Sequence, residues 1–400
     1  MPDDLWILGA SMVKFGRYPD RDLMDIGSEA AVGALSDAAV SMADIDILVV
    51  GNQLEPVGGV GQRLQKQIGQ TGIPVYNVTN ACATGASAIR VVSMAIKAGE
   101  AEMGLAVGVE KMGKAGLAEG RAARPEKVAY EREGRTGAVM SVEGILGTDF
   151  MPGVFAHAGM EYARNHDGVG FEQFARVAEK NHAHSSLNPL AQYQKTFGLD
   201  EVMASPMMSY PNTLLMCCPT GDGSAAAVVV SGEKLATLDP AVRKRAVKVS
   251  ASVLTTDPWV EGGEQQPDVN TLTRQAADKA YEQAGVDPQD LDLVELHDCF
   301  ATAELIHYDN LRLCEPGGAG DFIDSRGPWR DGRIPVNVSG GLISKGHPIA
   351  ATGVANIYEI VTHLRGEAGD RQIEGATVGL AHVIGLGSTC AVHILEKAAV

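Results

Sequence analysis

Cys82 lies where an extended stretch, residues 74–78, runs into a helix of small residues predicted over 81–88. A thiol at that junction faces the unpaired amides of the first helical turn, which favour negative charge. We therefore expect the thiolate to be stabilised and the pKa of Cys82 to be lowered. Such a thiol suits nucleophilic acyl transfer. The alternative is a small buried hydrophobic residue, which is the usual state of a cysteine.

His347 has a similar place near the end of the chain, immediately before Pro348 and a helix predicted to run to Arg365. The positive end of that helix disfavours the imidazolium, so His347 is expected to be neutral and able to accept the Cys82 proton. The alternative is a histidine that only caps the helix. His297 and Cys299 follow a predicted strand between these two sites. Two thiols and two imidazoles at element ends suggest acyl transfer by cysteine.

The predicted elements repeat along the chain. A helical pattern over 23–39 leads to a buried strand over 44–50, and a second helical pattern over 272–284 leads to a strand over 290–296. Matching order in two α/β halves predicts two similar domains around a pseudo-twofold axis. The equivalent helix starts of the two halves would then meet. The repeat therefore predicts that the Cys82 and His347 sites come together.

We place the domains at residues 1–240 and 241–400, with a charged linker over 231–248. The first domain carries an insertion over about 112–210, which reads as an irregular loop region covering the site. Helices that alternate with short apolar strands predict mainly parallel sheets covered on both faces.

Composition limits the class of protein. The 400 residues carry a formal charge of −17, which disfavours nucleic acid and anionic membranes as partners. The amino terminus lacks a signal or transit pattern, and no apolar run is long enough to span a bilayer. Six cysteines, none spaced as CxxC, fit a reduced cytoplasm. A phosphorylated ligand would need a local basic patch, for which the candidates are Lys111, Lys114, Arg121, Arg124, Lys127, Arg132 and Arg135.

Cofactor motifs are weak. His182 and His184 are two residues apart, which does not place both on one helical face, and we predict no metal site there. The glycine pairs at 59–61 and 385–387 lack the third glycine and the acidic residue of a dinucleotide fingerprint. We expect no permanently bound cofactor.

Several motifs together resemble one family, the thiolases, and within it the sterol-carrier-protein-type (lipid-transfer-protein-like) branch. They are residues 80–85 (NACATG), 297–300 (HDCF), 339–348 (SGGLISKGHP), 180–185 (KNHAHS), 200–205 (DEVMAS) and 217–220 (CCPT). Other thiolases have an asparagine-glutamate pair where this branch has His-Asp, and they carry a carboxyl-terminal Cys-x-Gly. Here the chain has His297-Asp298 and, near its end, HVIG at 382–385. The resemblance covers essentially the whole chain.

The resemblance implies a fold of two βαβαβαββ halves in an αβαβα layering with an inserted loop domain. It implies thiolysis of 3-oxoacyl-CoA, or the reverse Claisen condensation, with coenzyme A and acyl-CoA as substrates. Cys82 would be the acylated nucleophile and His347 its base and an oxyanion donor. Cys299 would be the second acid/base, and His297 the other oxyanion donor, unless it is a structural histidine bonded to Asp298.

Backbone groups would complete the site. A second oxyanion hole is expected from the Cys82 amide and an amide of the 385–387 turn, and we include Gly341, Gly385 and Gly387 among the oxyanion or cofactor-binding residues. Ala350 replaces a glycine that is usual in the family, which puts substrate preference in doubt more than mechanism. The family forms dimers, so a homodimer or a tetramer is expected.

Two alternatives stay open. One is a related thiolase-fold enzyme with different chemistry, such as a CoA-ester retro-aldolase or a decarboxylating synthase, although retention of both Cys82 and Cys299 disfavours it. The other is a non-catalytic scaffold or lipid-binding subunit that works with a small OB-fold partner.

Overall fold

The computed structural model describes residues 4–55, 58–113, 150–258, 269–386 and 389–398. Their helices are α1 Leu23–Asp37, α2 Val60–Ile68, α3 Thr84–Lys97, α4 Phe150–Asn165, α5 Phe171–Ser185, α6 Leu199–Ala204, α7 Gly232–Thr237, α8 Pro240–Arg243, α9 Val269–Ala284, α10 Ala301–Asn310, α11 Ala319–Asp324 and α12 Ile349–Arg365. The strands are β1 Leu5–Met12, β2 Ile47–Gly51, β3 Val75–Val78, β4 Met103–Lys111, β5 Met207–Ser209, β6 Asn212–Thr213, β7 Asp222–Ser231, β8 Val247–Thr255, β9 Leu293–Glu295, β10 Val378–Gly385 and β11 Thr389–Lys397.

Nine of these strands form one sheet in the order β3-β2-β4-β7-β1-β8-β11-β10-β9. The first five come from the first half of the chain and the last four from the second, and the two sets meet where β1 pairs with β8. Val336 adds a bridge beside β9, where the counterpart of β3 belongs. The strand order of one half is therefore the mirror of the other, as the repeat in the sequence predicts.

The prediction of mainly parallel sheets is wrong. Only three of the eight pairings in the sheet are parallel, namely β2 with β3, β2 with β4, and β9 with β10. The last strand of each half returns beside β1 or β8 in antiparallel pairing. Because β10 and β11 are joined by a short turn rather than a helix, their pairing is also antiparallel.

The elements stack as five layers. Helix α1 packs on β1, β4 and β7, while α9 packs on β8 and β11. Between the two halves of the sheet lie α3 and α12, which pack against each other. Nearly every residue of α12 is buried, since a central helix meets protein on all sides. The two helices that follow Cys82 and His347 are therefore neighbours at the centre of the molecule.

The inserted region differs from its prediction. Its described part, from residue 150 onward, is not irregular, because it holds the long helices α4 and α5. Both pack against α10, and α5 also packs against a π-helical turn at Gly341–Lys345. The linker predicted over 231–248 contains α7 and α8. Among the described helices, none is both long and apolar enough to cross a membrane.

Candidate active site

Cys82 lies in a tight turn between β3 and α3. The helix begins at Thr84, so Cys82 precedes its first turn rather than lying within it. Ala81 has a positive φ of 47°, a conformation that is costly for a residue with a side chain. The Thr84 hydroxyl accepts from the Asn80 amide at 2.8 Å and donates to the Ala81 carbonyl at 2.6 Å. These bonds hold the turn that presents Cys82.

The pKa of Cys82 is not lowered as expected. Burial raises it to about 12, and the backbone amides of Cys82 and Leu386 offset this only in part. A thiolate buried without a neighbouring cation loses more hydration than two amides restore. Cys82 is therefore held as a thiol, and a neighbouring base would be needed to generate its thiolate.

His347 lies beside Cys82, and its hydrogen bonds fix the tautomer of the ring. Its Nδ1 lies 2.7 Å from the hydroxyl of Thr352, one turn along α12. That hydroxyl donates its single hydrogen to the Pro348 carbonyl at 3.1 Å, so it accepts from Nδ1–H. The lone pair is then on Nε2, which has no hydrogen-bond partner among the described residues. Burial, with the charge of Lys345, lowers the pKa of His347 to about 3, and the ring is neutral as predicted.

His297 lies beside His347. The two rings are perpendicular, with centroids 5.3 Å apart, and Phe155 of α4 packs on the other side of His297 at 6.2 Å. Its Nδ1 also has no partner in the described part of the chain. Burial lowers the pKa of His297 well below its usual range. The sulfur of Cys82 and one ring nitrogen of each histidine lie within 4.8 Å of one another.

Cys299 lies between β9 and α10, buried near this group. Burial raises the pKa of its thiol, and the neighbouring thiols of Cys218 and Cys82 raise it further. The Cys218 amide donates to the Cys299 carbonyl at 2.9 Å, beside a bridge that joins Cys217 to Phe300. The CCPT segment thus holds the backbone of Cys299 in place, a contact that the sequence did not reveal.

Asp298 does not bond to His297, contrary to the structural alternative for that histidine. Its two carboxylate oxygens accept from the amides of Leu342 and Ile343, at 2.7 and 3.2 Å. These amides belong to the π-helical turn that leads to His347. Asp298 therefore connects the loop of His297 and Cys299 to the turn of His347.

A buried charge network supports Asp298. The two Nδ2 hydrogens of Asn181 go to Asp298 and to Glu304, at 2.8 and 2.6 Å. Lys180 lies 2.7 Å from Glu304, and all of these side chains are buried. Burial, together with the nearby Glu304, raises the pKa of Asp298 well above its usual range. In the sequence, Lys180 and Asn181 stand out only as part of the KNHAHS motif, which does not indicate this role.

Glu110, at the end of β4, was also missed. It is completely buried, and its carboxylate accepts from the Gln53 amide at 2.9 Å and the Leu54 amide at 3.2 Å. It also accepts from the Ala350 amide in the first turn of α12. Burial raises its pKa to about 7, and its charge acts on Cys82. An acidic residue at the end of a buried strand was the only signal available in the sequence.

The predicted glycines have positioning roles. A side chain at Gly385 would collide with the Asn80 carbonyl, so this glycine lets the β10 turn approach Cys82. The amide directed at the Cys82 sulfur is that of Leu386. A side chain at Gly341, whose φ is +57°, would strike the Asp298 carboxylate. Gly387 lies outside the described residues.

The remaining candidates are structural or lie outside the described residues. His182 bonds to Ser344 and Leu215, and His184 to Asn337 and the Arg330 amide, so both rings have structural partners. Lys111 donates to the Arg21 carbonyl. The other six residues of the basic patch fall in the segment 114–149, outside the described residues.

Family models match both halves of the chain. Residues 5–200 match the model described as "Thiolase, N-terminal domain", and residues 262–397 match "Thiolase C-terminal domain-like".

Among individual proteins, the chain is 37% identical to human "Sterol carrier protein 2", over 98% of this chain and 72% of that protein. It is 34% identical to "Acetyl-CoA acetyltransferase" of Methanothermobacter thermautotrophicus (strain ATCC 29096 / DSM 1053 / JCM 10044 / NBRC 100330 / Delta H), over 98% of this chain and all of that protein. The solved "Ltp2-ChsH2(DUF35) aldolase" superposes with a TM-score of 0.81 at 21% identity, covering 99% of this chain and 98% of the other. That last likeness shows the fold alone.

A solved human mitochondrial 3-ketoacyl-CoA thiolase in complex with CoA also shares the fold, with a TM-score of 0.72 at 18% identity, covering 99% of this chain and 98% of the other. The matching family models and the identity to sterol carrier protein 2 place this chain in the thiolase family, in its sterol-carrier-protein-type branch.

Proposed function

We propose that this protein is an acyl-CoA acyltransferase that cleaves 3-oxoacyl-CoA by thiolysis, or forms it by the reverse Claisen condensation, through an acyl group on Cys82. The supporting observation is the approach of the Cys82 sulfur and two ring nitrogens to within 4.8 Å, with Nε2 of His347 free to accept a proton. A thiol beside a neutral imidazole is the arrangement that generates a sulfur nucleophile on demand.

In the acylation step, His347 takes the Cys82 proton as the sulfur attacks the 3-oxo carbon. The resulting oxyanion is stabilised by the amides of Cys82 and Leu386, both of which are directed at the Cys82 sulfur in the unacylated protein. Because Thr352 holds Nδ1–H, the proton can enter only at Nε2. Cleavage of the carbon–carbon bond then leaves the acyl group on Cys82.

The other product leaves as an enolate of acetyl-CoA or propionyl-CoA. His297 and the protonated His347 donate to the enolate oxygen, and Cys299 gives its proton to the α-carbon. The thiol of coenzyme A next gives its proton to the Cys299 thiolate and attacks the acyl group on Cys82, whose sulfur leaves and takes back the proton held by His347. Both thiols are then restored.

Mass spectrometry tests this proposal directly. Mixing the protein with acetoacetyl-CoA is expected to add an acetyl group to Cys82, and free coenzyme A is expected to remove it. Cys314→Ala, which removes a half-buried thiol outside the site, serves as a control that acetylates normally. If Cys82 stays unmodified, the non-catalytic scaffold becomes the better interpretation.

Retro-aldol cleavage is the second candidate, because a solved aldolase shares the fold. That reaction needs no acyl-enzyme, so the buried Cys82 and Cys299 would have no chemical use in it. A parallel incubation with a 3-hydroxyacyl-CoA separates the two candidates, since only a retro-aldolase would release a free carbonyl product from that ester, and it would do so without labelling Cys82.

We propose that the protein is cytoplasmic and forms a homodimer. Ultracentrifugation would also detect further association to a tetramer. The edge strand β3 supports the dimer, since among the described strands it pairs with β2 alone, and it exposes Tyr76 by 53%. An unpaired strand edge with an apolar side chain is a ready surface for a second copy. Ultracentrifugation measures the assembly.

A small OB-fold partner is a further proposal, suggested by the complex that the solved aldolase forms with a DUF35 protein.

A further inference from the structure

The three atoms at the reaction centre are also a set of metal ligands. Cysteine sulfur and histidine nitrogen are the atoms that most often bind zinc in proteins. The sulfur of Cys82 and one ring nitrogen each of His297 and His347 lie within 4.8 Å of one another, and all three residues are buried. They come from three separate parts of the chain, so no ligand spacing in the sequence indicates a site.

Each of the two histidine rings also has a nitrogen without a hydrogen-bond partner in the described part of the chain. Nε2 of His347 and Nδ1 of His297 have no hydrogen-bond partner among the described residues, although both rings are buried. Unpaired polar atoms in such a place are costly unless a ligand completes them. Thr352 holds Nδ1–H of His347, which is the support that a metal-binding histidine usually receives on its other nitrogen.

The geometry is close to that of a zinc site. Zinc–nitrogen and zinc–sulfur bonds of about 2.0–2.3 Å place tetrahedral ligands about 3.3–3.7 Å apart. The longest of the three separations therefore has to shorten by at most about 1 Å for the atoms to bind one ion. The nearby Glu110 carboxylate compensates the charge left by Zn²⁺ and one thiolate. On binding, the thiol proton of Cys82 passes to solvent.

We propose that Cys82, His297 and His347 bind Zn²⁺ reversibly, with the fourth position of the ion open. A bound ion occupies the lone pair of the sulfur and that of the His347 base, so neither can react with a thioester. Inhibition by zinc rests on the proposed function, whereas zinc binding does not.

Zinc affinity of the reduced, metal-free protein tests the site, measured by competition with a chromophoric chelator. We expect one ion per chain with a Kd below about 1 µM, as three protein ligands provide. Cys82→Ser and His347→Ala should each weaken the Kd by about 100-fold or more, while Cys314→Ala should leave it unchanged. Serine is nearly the same size as cysteine, so Cys82→Ser should not disturb packing. Circular dichroism establishes that each variant is folded.

X-ray absorption of the zinc-loaded protein gives the ligand set, for which we expect one sulfur and two imidazole nitrogens. A zinc ion coordinated by oxygen and nitrogen atoms without sulfur would refute the proposed site. A Kd that is the same in Cys82→Ser as in wild type would also refute it, since the bound ion is then adventitious. Acetoacetyl-CoA should also weaken zinc binding in wild-type protein. If zinc binds in this way but Cys82 is never acylated, the proposed function fails and the metal site stands.

Discussion

His347 and Thr352 form a fixed pair, in which the imidazole Nδ1–H donates to a hydroxyl whose own hydrogen goes to the Pro348 carbonyl. The pair occupies one turn at the start of α12, so the backbone of the helix sets the tautomer of His347. In the proposed mechanism, a proton from Cys82 can then reach only Nε2. The orientation of the proposed base is thus built into the helix that the Gly-His-Pro sequence begins.

Thr352→Val removes the acceptor for Nδ1–H while keeping the branched shape of the side chain. Because His347 then loses its fixed tautomer, kcat for thiolysis of acetoacetyl-CoA should fall by about 100-fold, which is the lower end of what a general base contributes. Steady-state kinetics measure this loss. Thr362→Val is the matched control, since Thr362 makes the same bond to the carbonyl four residues earlier in α12. Equal kinetics for the two variants would remove the role of Thr352.

Cys299→Ala distinguishes the role of the Cys299 thiol from that of the Cys82 thiol. Acylation of Cys82 by acetoacetyl-CoA should still occur in this variant. The α-protons of acetyl-CoA should no longer exchange in deuterated water, because the group that adds and removes them is gone. Nuclear magnetic resonance follows the exchange, with Cys314→Ala as the control that exchanges normally. Wild-type exchange in Cys299→Ala would exclude Cys299 from the mechanism.

Lys180→Met tests the buried network behind Asp298. It leaves the carboxyls of Glu304 and Asp298 together without a cation, so the free energy of unfolding should fall by about 3–5 kcal/mol. Urea denaturation measures it. Lys195→Met removes an exposed ion pair with Glu201 and should change stability by less than about 1 kcal/mol. A loss as small as that of Lys195→Met would mean that the network carries little of the stability.

Glu110 makes stability depend on pH. The folded protein binds its proton more tightly than the unfolded chain, with a pKa of about 7 against an ordinary 4.5. Wild-type protein therefore loses stability as the pH rises from about 4.5 to 7, whereas Glu110→Gln does not lose this part. The unfolding free energy of Glu110→Gln minus that of wild type should therefore increase by about 2–3 kcal/mol between pH 5 and pH 8.

Urea titrations at several pH values measure that difference. Glu55→Gln, at an exposed position nearby, should follow the pH dependence of wild type. Parallel curves for Glu110→Gln and wild type would show that Glu110 does not titrate in this range.

The sequence by itself determined the family and the repeat, and it selected Cys82, His297 and His347, which the structure brings together, because each of these depends on local patterns. The helix over 23–39 forms as α1, and α12 begins and ends where proline and glycine predict. The direction of most strand pairings was mistaken, since a local pattern carries no information about which neighbour a strand chooses.

Only the tertiary structure decided the electrostatics of the site. Helix position alone predicted a lowered pKa for Cys82, but the neighbouring elements bury the thiol and raise its pKa. The orientation of Asp298 away from His297, and the arrival of Glu110 beside α12, likewise depend on packing between distant segments. Desolvation is set by everything that surrounds a group, and a linear sequence does not specify what surrounds it.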